Sequence, residues 1–272
     1  MERLVPVSHE KIRDEYKKCL SNVASGKGGL MLVSGESGFG KTFILKEIEE
    51  EATKRGLMAV YTPAPNPIGK VKVGNMQPLL PFSKAIEGLI ALMQVSAQKK
   101  FAVNLGMTVL ASIPVAGDVF YAIKEIGRDW RQFKKDKSSD NTRKVSSASA
   151  DYYDTINAYC DSMPIVLLMD DMHWADSQTI ELLTLLVENI LNIQLLIVCA
   201  YKNSVLETGA LAMQSFLNNP IIKQISAVSQ DISPFGIAEI KELSKPLLKQ
   251  SANSDSFAQW LLEHSYGVPS VV

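Results

Sequence analysis

Residues 30–48 read LMLVSGESGFGKTFILKEI, and this stretch decides the fold. Its apolar run stops at Gly35, further glycines precede Lys41 and Thr42, and helical spacing then resumes. The segment GESGFGKT fits the pattern GxxxxGK(S/T), which binds phosphate where it joins a strand to a helix. A short, continuous apolar run is typical of a strand covered on both faces in a parallel sheet. The stretch therefore predicts a phosphate-binding loop between a buried strand and a helix.

The composition of this loop suits a bulky, anionic polyphosphate. Glycines allow the required backbone angles without a Cβ in the way, and the loop N–H groups then face the phosphates at the positive end of the helix. Lys41 is predicted to reach the β- and γ-phosphates, and Thr42 to place its hydroxyl on Mg²⁺. The alternative is a turn that is rich in glycine by chance, which the flanking strand and helix disfavour. The predicted nucleotide-binding residues of the loop are Gly35, Glu36, Ser37, Gly38, Phe39, Gly40, Lys41, Thr42 and Phe43.

A pair of carboxylates ends a second apolar run, PIVLLMDD. Unpaired buried charge is costly, and ligands of parallel sheets lie at the carboxyl ends of strands, so the pair is expected beside the phosphate loop. We assign Asp170 to the Mg²⁺ shell and Asp171 to polarising an attacking water; alternatively, one of the two caps the next turn. His173 is either a contact of the site or a packed side chain, and Trp174 is expected to pack. Asp176 is read as the N-cap of the helix SQTIELL.

Strand and helix patterns alternate along most of the chain. The segments LMAVYTPA, PIVLLMDD, LLIVCAY and IIKQISAVS are read as further strands with helices between them, which predicts an α/β fold with a parallel sheet. Prolines and the serine-rich SSASA segment, read as a flexible joint, delimit an insertion. We therefore divide the chain into an ATPase-like core at 1–64 and 150–230, a helical insertion at 65–149, and the start of a helical lid at 231–272. The chain looks cut from a longer protein.

Bulk composition excludes several classes of protein. The chain has 272 residues, 46% of them apolar, and a formal net charge of −1, so it has material for a sizeable core and no overall electrostatic attraction to DNA or an anionic membrane. Three scattered cysteines fit a reducing compartment and form no zinc-site spacing. The charged N-terminus lacks the apolar core of a secretory signal. We expect a cytoplasmic protein.

Two segments of the insertion have alternative interpretations. Residues 101–117 carry no formal charge, and these 17 residues are near the lower length limit of a membrane span. Asn104, Pro114 and Asp118 interrupt the longer apolar run 101–123 and favour a buried helical hairpin. Residues 124–144 hold eight basic and four acidic side chains. They are read as a solvated helix face, with contact to nucleic acid as the alternative.

The motifs together resemble one family. GESGFGKT, followed by LLMDDMHWADSQTIELL and a strand that ends in YK, looks like the P-loop ATPase domain of STAND regulators, which are signal-transduction ATPases related to the AAA+ class. The resemblance implies a three-layer P-loop NTPase fold with strand order 5-1-4-3-2, binding of ATP or ADP with Mg²⁺, and further domains or protein partners. Lys202, which follows the fourth strand, is expected to bind the nucleotide, and the resemblance implies that Gly267 and Pro269 lie near the adenine.

The chain departs from this family in its arginines. Related ATPases often sense the γ-phosphate with an arginine after the fourth strand or on the lid, whereas this chain has no arginine after Arg143 and reads Lys202-Asn203 at the first position. Lysine supplies charge but not the planar fork of arginine. Unless Arg128, Arg131 or Arg143, or a second subunit, supplies that group, hydrolysis is expected to be slow or stimulated by a partner.

Three functions are consistent with these motifs. The first is an ATP/Mg²⁺-dependent switch that acts as the regulatory module of a larger signalling protein, with ATPase activity. The second is an oligomeric AAA-like ATPase that acts on DNA or nucleoprotein. The third, a small-molecule phosphotransferase, is weaker because no second substrate site is evident in the sequence.

Overall fold

A five-stranded parallel sheet organises the part of the chain that the structure describes. The computed structural model describes residues 10–66, 78–94, 126, 128–129, 132, 147–204, 210–225, 228–244 and 254–270. The strands are β1 Gly29–Gly35, β2 Met58–Pro63, β3 Ile165–Asp170, β4 Leu195–Tyr201 and β5 Val228–Ile232. They lie in the order β2-β3-β4-β1-β5, and every pairing is parallel. Read from the other edge, this is the predicted order 5-1-4-3-2.

Helices cover both faces of the sheet. They are α1 Glu10–Ala24, α2 Lys41–Lys54, α3 Leu80–Gln94, α4 Ser147–Ser162, α5 Ser177–Glu188, α6 Leu211–Asn218, α7 Pro220–Ile225, α8 Ile237–Ser244 and α9 Ser254–Ser265, with 3₁₀ turns at Met172–Trp174 and Ile190–Asn192. Alternate residues of β4 enter opposite cores: Leu196 and Val198 pack with α1 and α2, whereas Leu195 and Ile197 pack with α3, α4 and α5. Because both faces of the strand are buried, it is apolar throughout.

The register brings the carboxyl ends of the strands to one edge. Ser34 of β1 lies beside Tyr201 of β4, Gly35 lies beside Ile232 of β5, and Pro63 of β2 lies beside Asp170 of β3. The segments that follow these strands therefore meet at this edge of the sheet, although they are far apart in sequence.

The structure corrects the predicted fifth strand. Residues 221–229 were expected to form it, but Pro220–Ile225 is helical and the strand is Val228–Ile232. The local reason is a helix start at Asn219-Pro220: the Asn219 Oδ1 atom accepts a hydrogen bond from the Ile221 N–H at 2.9 Å, and proline suits the first helical position. The apolar pair that follows fits a helix as well as a strand.

The expected flexible joint is also corrected. SSASA overlaps the start of α4, which begins at Ser147, and Ser149 is fully buried there. The small side chains of this segment suit a helix packed against the core as well as they suit a flexible joint. Most of the insertion, including the apolar run 101–123 and most of the basic run, lies outside the described residues.

The last helices form a small unit of their own. Phe235, Ile240 and Ala258 make a separate buried cluster between α8 and α9. The boundaries at 64, 149 and 230 remain predictions. None of the helices in the described ranges is long and apolar enough to cross a membrane.

Candidate functional site

The loop between β1 and α2 has the backbone that its glycines predict. Gly35, Gly38 and Gly40 have φ values of 149°, 83° and 101°, a region that side chains with a Cβ rarely adopt. A Cβ at Gly35 would lie 2.8 Å from the carbonyl oxygen of Ile232 on β5. Gly40 immediately precedes α2, so the loop leads directly into the positive end of the helix.

Lys41 is folded back over this loop. Its side chain is only 7% exposed, and its ammonium donates to the carbonyl oxygens of Gly35 at 2.8 Å and Glu36 at 2.9 Å. Burial lowers the pKa of Lys41, while the nearby carboxylates of Asp170 and Asp171 favour its charged form. The ammonium is thus held at the mouth of the loop by neutral acceptors, where a phosphate oxygen could replace them.

Asp170, at the end of β3, receives three hydrogen bonds from residues that the structure describes. Its Oδ2 atom accepts from the Thr42 hydroxyl at 2.6 Å and from the Tyr61 hydroxyl at 2.8 Å, and its Oδ1 atom accepts from the N–H of Asp171 at 2.9 Å. The structure thus brings together Thr42 and Asp170, the two residues that are predicted to bind Mg²⁺. Sequence reasoning missed Tyr61, since a tyrosine in an apolar strand has no motif to mark it.

Asp171 occupies an unusual backbone position. Its φ is 54°, in the left-handed region, at the start of the 3₁₀ turn. Aspartate tolerates this region better than most side chains. Burial and the charge of Asp170 raise the pKa of Asp171, and the ammonium of Lys41 opposes the rise. The half-buried carboxylate thus lies in the field of both the predicted metal ligand and the phosphate-loop lysine.

His173 and Trp174 follow the acidic pair in the 3₁₀ turn Met172–Trp174. Their ring centroids are 4.9 Å apart, and Trp174 packs against the core as expected. His173 is 7% exposed, and its Nδ1 atom has no hydrogen-bond partner among the described residues. Burial, reinforced by the charges of Lys41 and Lys202, lowers the pKa of His173 to about 4. The imidazole is therefore neutral at physiological pH. Asp176 caps α5, accepting from the N–H groups of Gln178 and Thr179.

The end of β4 contacts the phosphate loop through Glu36. The Glu36 carboxylate accepts from the backbone N–H of Ser204 at 2.9 Å and from its hydroxyl at 2.8 Å. The ammonium of Lys202 lies 3.6 Å from the same carboxylate. Lys202, which is predicted to bind the nucleotide, thus lies beside the phosphate loop, with a loop carboxylate as its present partner.

The segment after α9 reaches the tip of the loop. The N–H of Ser270 donates to the carbonyl oxygen of Gly38 at 3.3 Å, and a Cβ at Gly38 would meet the side chains of Val268 and Ser270. Pro269 therefore lies between two residues that are next to the loop, and its place near the adenine stays a prediction. The rest of the predicted set is nearby: Phe39 packs beside the α1–α2 core, Ser37 is exposed, and Phe43 is 38% exposed.

This arrangement fits a nucleotide bound with magnesium. A hydroxyl and a carboxylate, which are hard oxygen donors of the kind that Mg²⁺ prefers, meet at Thr42 and Asp170. Mg²⁺ commonly takes one or two such protein groups and completes its shell with phosphates and water. The glycine-lined loop and the ammonium of Lys41 supply the phosphate-binding half of the site.

Comparison with known proteins identifies the family of most of the chain. Residues 10–198 match the family model described as an AAA ATPase domain. The match covers more than half of the 272 residues and includes the phosphate loop and the acidic pair. No curated protein matches the chain at a significant level.

Several solved structures are similar to the chain. AMPPCP-bound DnaA from Aquifex aeolicus is 14% identical over 98% of this chain and 60% of its own, with a TM-score of 0.49. The STAND protein with a tetratricopeptide repeat sensor, PH0952 from Pyrococcus horikoshii, is 12% identical over 93% of this chain and 28% of its own, with a TM-score of 0.44. A RuvB variant from Thermotoga maritima is 13% identical over 96% of this chain and 58% of its own, with a TM-score of 0.43. The chain thus spans at most 60% of each of these proteins.

Proposed function

This chain belongs to the AAA ATPase domain family, and from that premise we propose that it is a nucleotide-dependent switch. It binds ATP with Mg²⁺, hydrolyses it slowly, and serves as the regulatory module of a larger signalling protein of the STAND type. The observation that carries the proposal is the meeting of Thr42 with Asp170 beside the phosphate loop and its buried Lys41. Family membership alone does not require these side chains to be placed together.

Different groups of the chain are proposed to bind the phosphates, the Mg²⁺ and the rest of the nucleotide. Loop N–H groups and the positive end of α2 hold the phosphates, and Lys41 exchanges its carbonyl partners for phosphate oxygens. Thr42 and Asp170 would hold Mg²⁺, which when bound neutralises negative charge on the β- and γ-phosphates. Phe43, which is 38% exposed, and the segment around Pro269 are proposed to contact the rest of the nucleotide.

Hydrolysis is proposed to be slow because only part of the usual machinery is at hand. The Asp171 carboxylate is proposed to orient a water and accept its proton. The position after β4, however, is occupied by Lys202, which is near Glu36, and lysine lacks the fork of an arginine finger. An arginine finger raises turnover by about 10³–10⁵. We therefore expect a turnover number below about 1 s⁻¹, the low end of the usual range.

The switch is proposed to act on the segment that follows α9. Ser270, in the proposed lid at 231–272, contacts Gly38 at the tip of the phosphate loop, so a change in loop conformation on binding would reach Ser270 directly. A nucleotide biases such a lid only through contacts that differ between its two positions. The insertion at 65–149 and further domains of a longer chain are proposed to receive or send the signal.

Calorimetric titration with ADP and with a non-hydrolysable ATP analogue, each with Mg²⁺, tests the proposal. We expect binding by the native chain and at least a tenfold loss in Lys41→Ala, because a hydrogen bond to a charged group contributes about 1.5–3 kcal/mol. Lys46→Ala is the matched control, since Lys46 is exposed on the same helix and should leave the affinity unchanged. Absence of binding by folded native chain would refute the proposed function.

A further inference from the structure

Tyr61 lies at the metal-binding edge of the sheet but belongs to neither motif. It is in the carboxyl-terminal half of β2, two residues before Pro63, which lies beside Asp170 in the sheet. From there its hydroxyl reaches the Asp170 Oδ2 atom at 2.8 Å. The two residues are 109 positions apart in sequence, and adjacent strands bring them together.

Two hydroxyls therefore converge on one carboxylate oxygen. The Thr42 Oγ1 atom approaches Asp170 Oδ2 from the phosphate loop at 2.6 Å, and the Tyr61 hydroxyl approaches it from β2. The backbone N–H of Asp171 holds the other oxygen at 2.9 Å. Because donors contact both oxygens, the plane of the carboxylate is fixed. Burial and the Asp170 charge raise the pKa of Tyr61, so its phenol stays protonated and remains a donor.

We propose that Tyr61 is a positioning residue for the divalent cation of this site: its hydroxyl holds the Asp170 carboxylate in the orientation in which it binds the cation. The inference rests on the proposed function, because it concerns the metal that accompanies the nucleotide. Thr42 would offer a lone pair to the cation while it still donates its proton to Asp170, whereas Tyr61 would only orient the carboxylate. A partner that orients a metal ligand typically changes metal affinity by about 10- to 100-fold when it is removed.

The tyrosine ring has a separate structural role, which allows the hydroxyl to be tested alone. The ring packs, half-buried, against the apolar cluster between the sheet and helices α1 and α2. Phenylalanine would keep that packing and remove only the hydrogen bond. Tyr159→Phe is a matched control, because the Tyr159 ring is buried and its hydroxyl has no partner among the described residues.

The experiment compares native protein, Tyr61→Phe and Tyr159→Phe, with equal thermal stability as the folding check. ADP affinity is measured by calorimetry in EDTA and at increasing free Mg²⁺, and Mn²⁺ binding to the ADP complex is followed by electron paramagnetic resonance. For Tyr61→Phe we expect at least a tenfold rise in the cation concentration needed for half-maximal effect. Its affinity for metal-free ADP should change by no more than about twofold, as expected where no nucleotide contact is lost.

Each outcome separates this inference from the proposed function. If native protein binds ADP with Mg²⁺ and Tyr61→Phe shows the same cation dependence as Tyr159→Phe, the role of Tyr61 is refuted and the proposed function stands. An equal loss of affinity with and without metal would also refute it, because the hydroxyl would then act on the nucleotide or on the fold. If native protein binds no nucleotide, both proposals fail.

Discussion

Glu36, in the phosphate loop, is bound at its carboxylate by both the backbone N–H and the hydroxyl of Ser204, the third residue after β4. The loop is thereby tied to the neighbouring strand end, where Lys202 also lies. Partial burial by itself would raise the pKa of Glu36, but the hydrogen bonds from Ser204 and the nearby ammonium of Lys202 hold it below its usual value. The contact is therefore intact at neutral pH and is lost in acid, as the pH falls through that lowered pKa.

Replacing Glu36 with glutamine should strengthen binding of an ATP analogue by up to about fivefold. The change removes a negative charge next to the phosphates and frees Lys202 from a partly exposed ion pair, and such pairs contribute at most about 1 kcal/mol. Calorimetry with Mg²⁺ measures the effect. Ser204→Ala is the control, because it removes a hydrogen bond but leaves both charges in place, and it should give no gain. Weaker binding by Glu36→Gln would contradict the proposed release of Lys202.

Asp171→Asn should bind ATP with the affinity of the native chain and fail to convert it to ADP. Asparagine keeps the shape of the side chain and tolerates the φ of 54°, but it cannot accept the proton of the attacking water. Chromatography of bound nucleotide after a single turnover measures the conversion. Hydrolysis by the variant at the native rate would show that Asp171 is not the base. Asp171→Ala tests the left-handed backbone conformation at this position, and it should destabilise the fold by about 1–3 kcal/mol.

Gly38→Ala should disturb both the loop and the segment after α9. The new Cβ would lie 2.7 Å from Val268 Cγ1 and would also meet the side chain of Ser270. Gly56→Ala is a matched control, because Gly56 has a similar φ of 76° and no atom of the described residues lies within 4 Å of its added Cβ. Both variants carry the strain of a left-handed residue, about 1–2 kcal/mol. Gly38→Ala should lose about 1–3 kcal/mol more, as overpacked sites do.

Denaturant unfolding of Gly38→Ala and Gly56→Ala measures the difference between their free energies of unfolding. Hydrogen exchange should show faster exchange at residues 267–270 in Gly38→Ala only. Equal free energies of unfolding and equal exchange in the two variants would mean that the segment does not rest on the loop in solution.

His173 should make the fold sensitive to mild acid. Its pKa is about 4 in the folded chain and 6.5 for the ordinary group, because burial disfavours the charged imidazole. Between pH 6.5 and 4 the unfolded chain binds the additional proton, so stability falls as pH falls through that window. The loss should approach roughly 2–3 kcal/mol at pH 4, at about 1.4 kcal/mol per pKa unit.

His173→Gln provides the comparison, because it cannot titrate. Urea unfolding at a series of pH values should show a smaller loss of stability for the variant between pH 6.5 and 4. Parallel curves for the two proteins would show that His173 is not buried in its neutral form.

The sequence by itself determined the features that are local. GESGFGKT between an apolar run and a helical pattern was enough to predict the loop, and two carboxylates at the end of PIVLLMDD were enough to predict that Asp170 would lie beside it. Backbone conformation, helix capping and strand burial act over a few residues, so a short segment contains their signal. The order of the strands was implied by family resemblance and is confirmed by the sheet.

Tertiary structure alone decided which further side chains join the site. The partners of Asp170 and Glu36 include Tyr61 and Ser204, which lie 109 and 168 residues away from them in sequence. A hydroxyl in an apolar strand or a loop has no local signature, because its partner is set by strand order and register. The helix at Pro220–Ile225 was misread for a related reason. A short apolar run fits a helix or a strand, and its capping and packing decide between them.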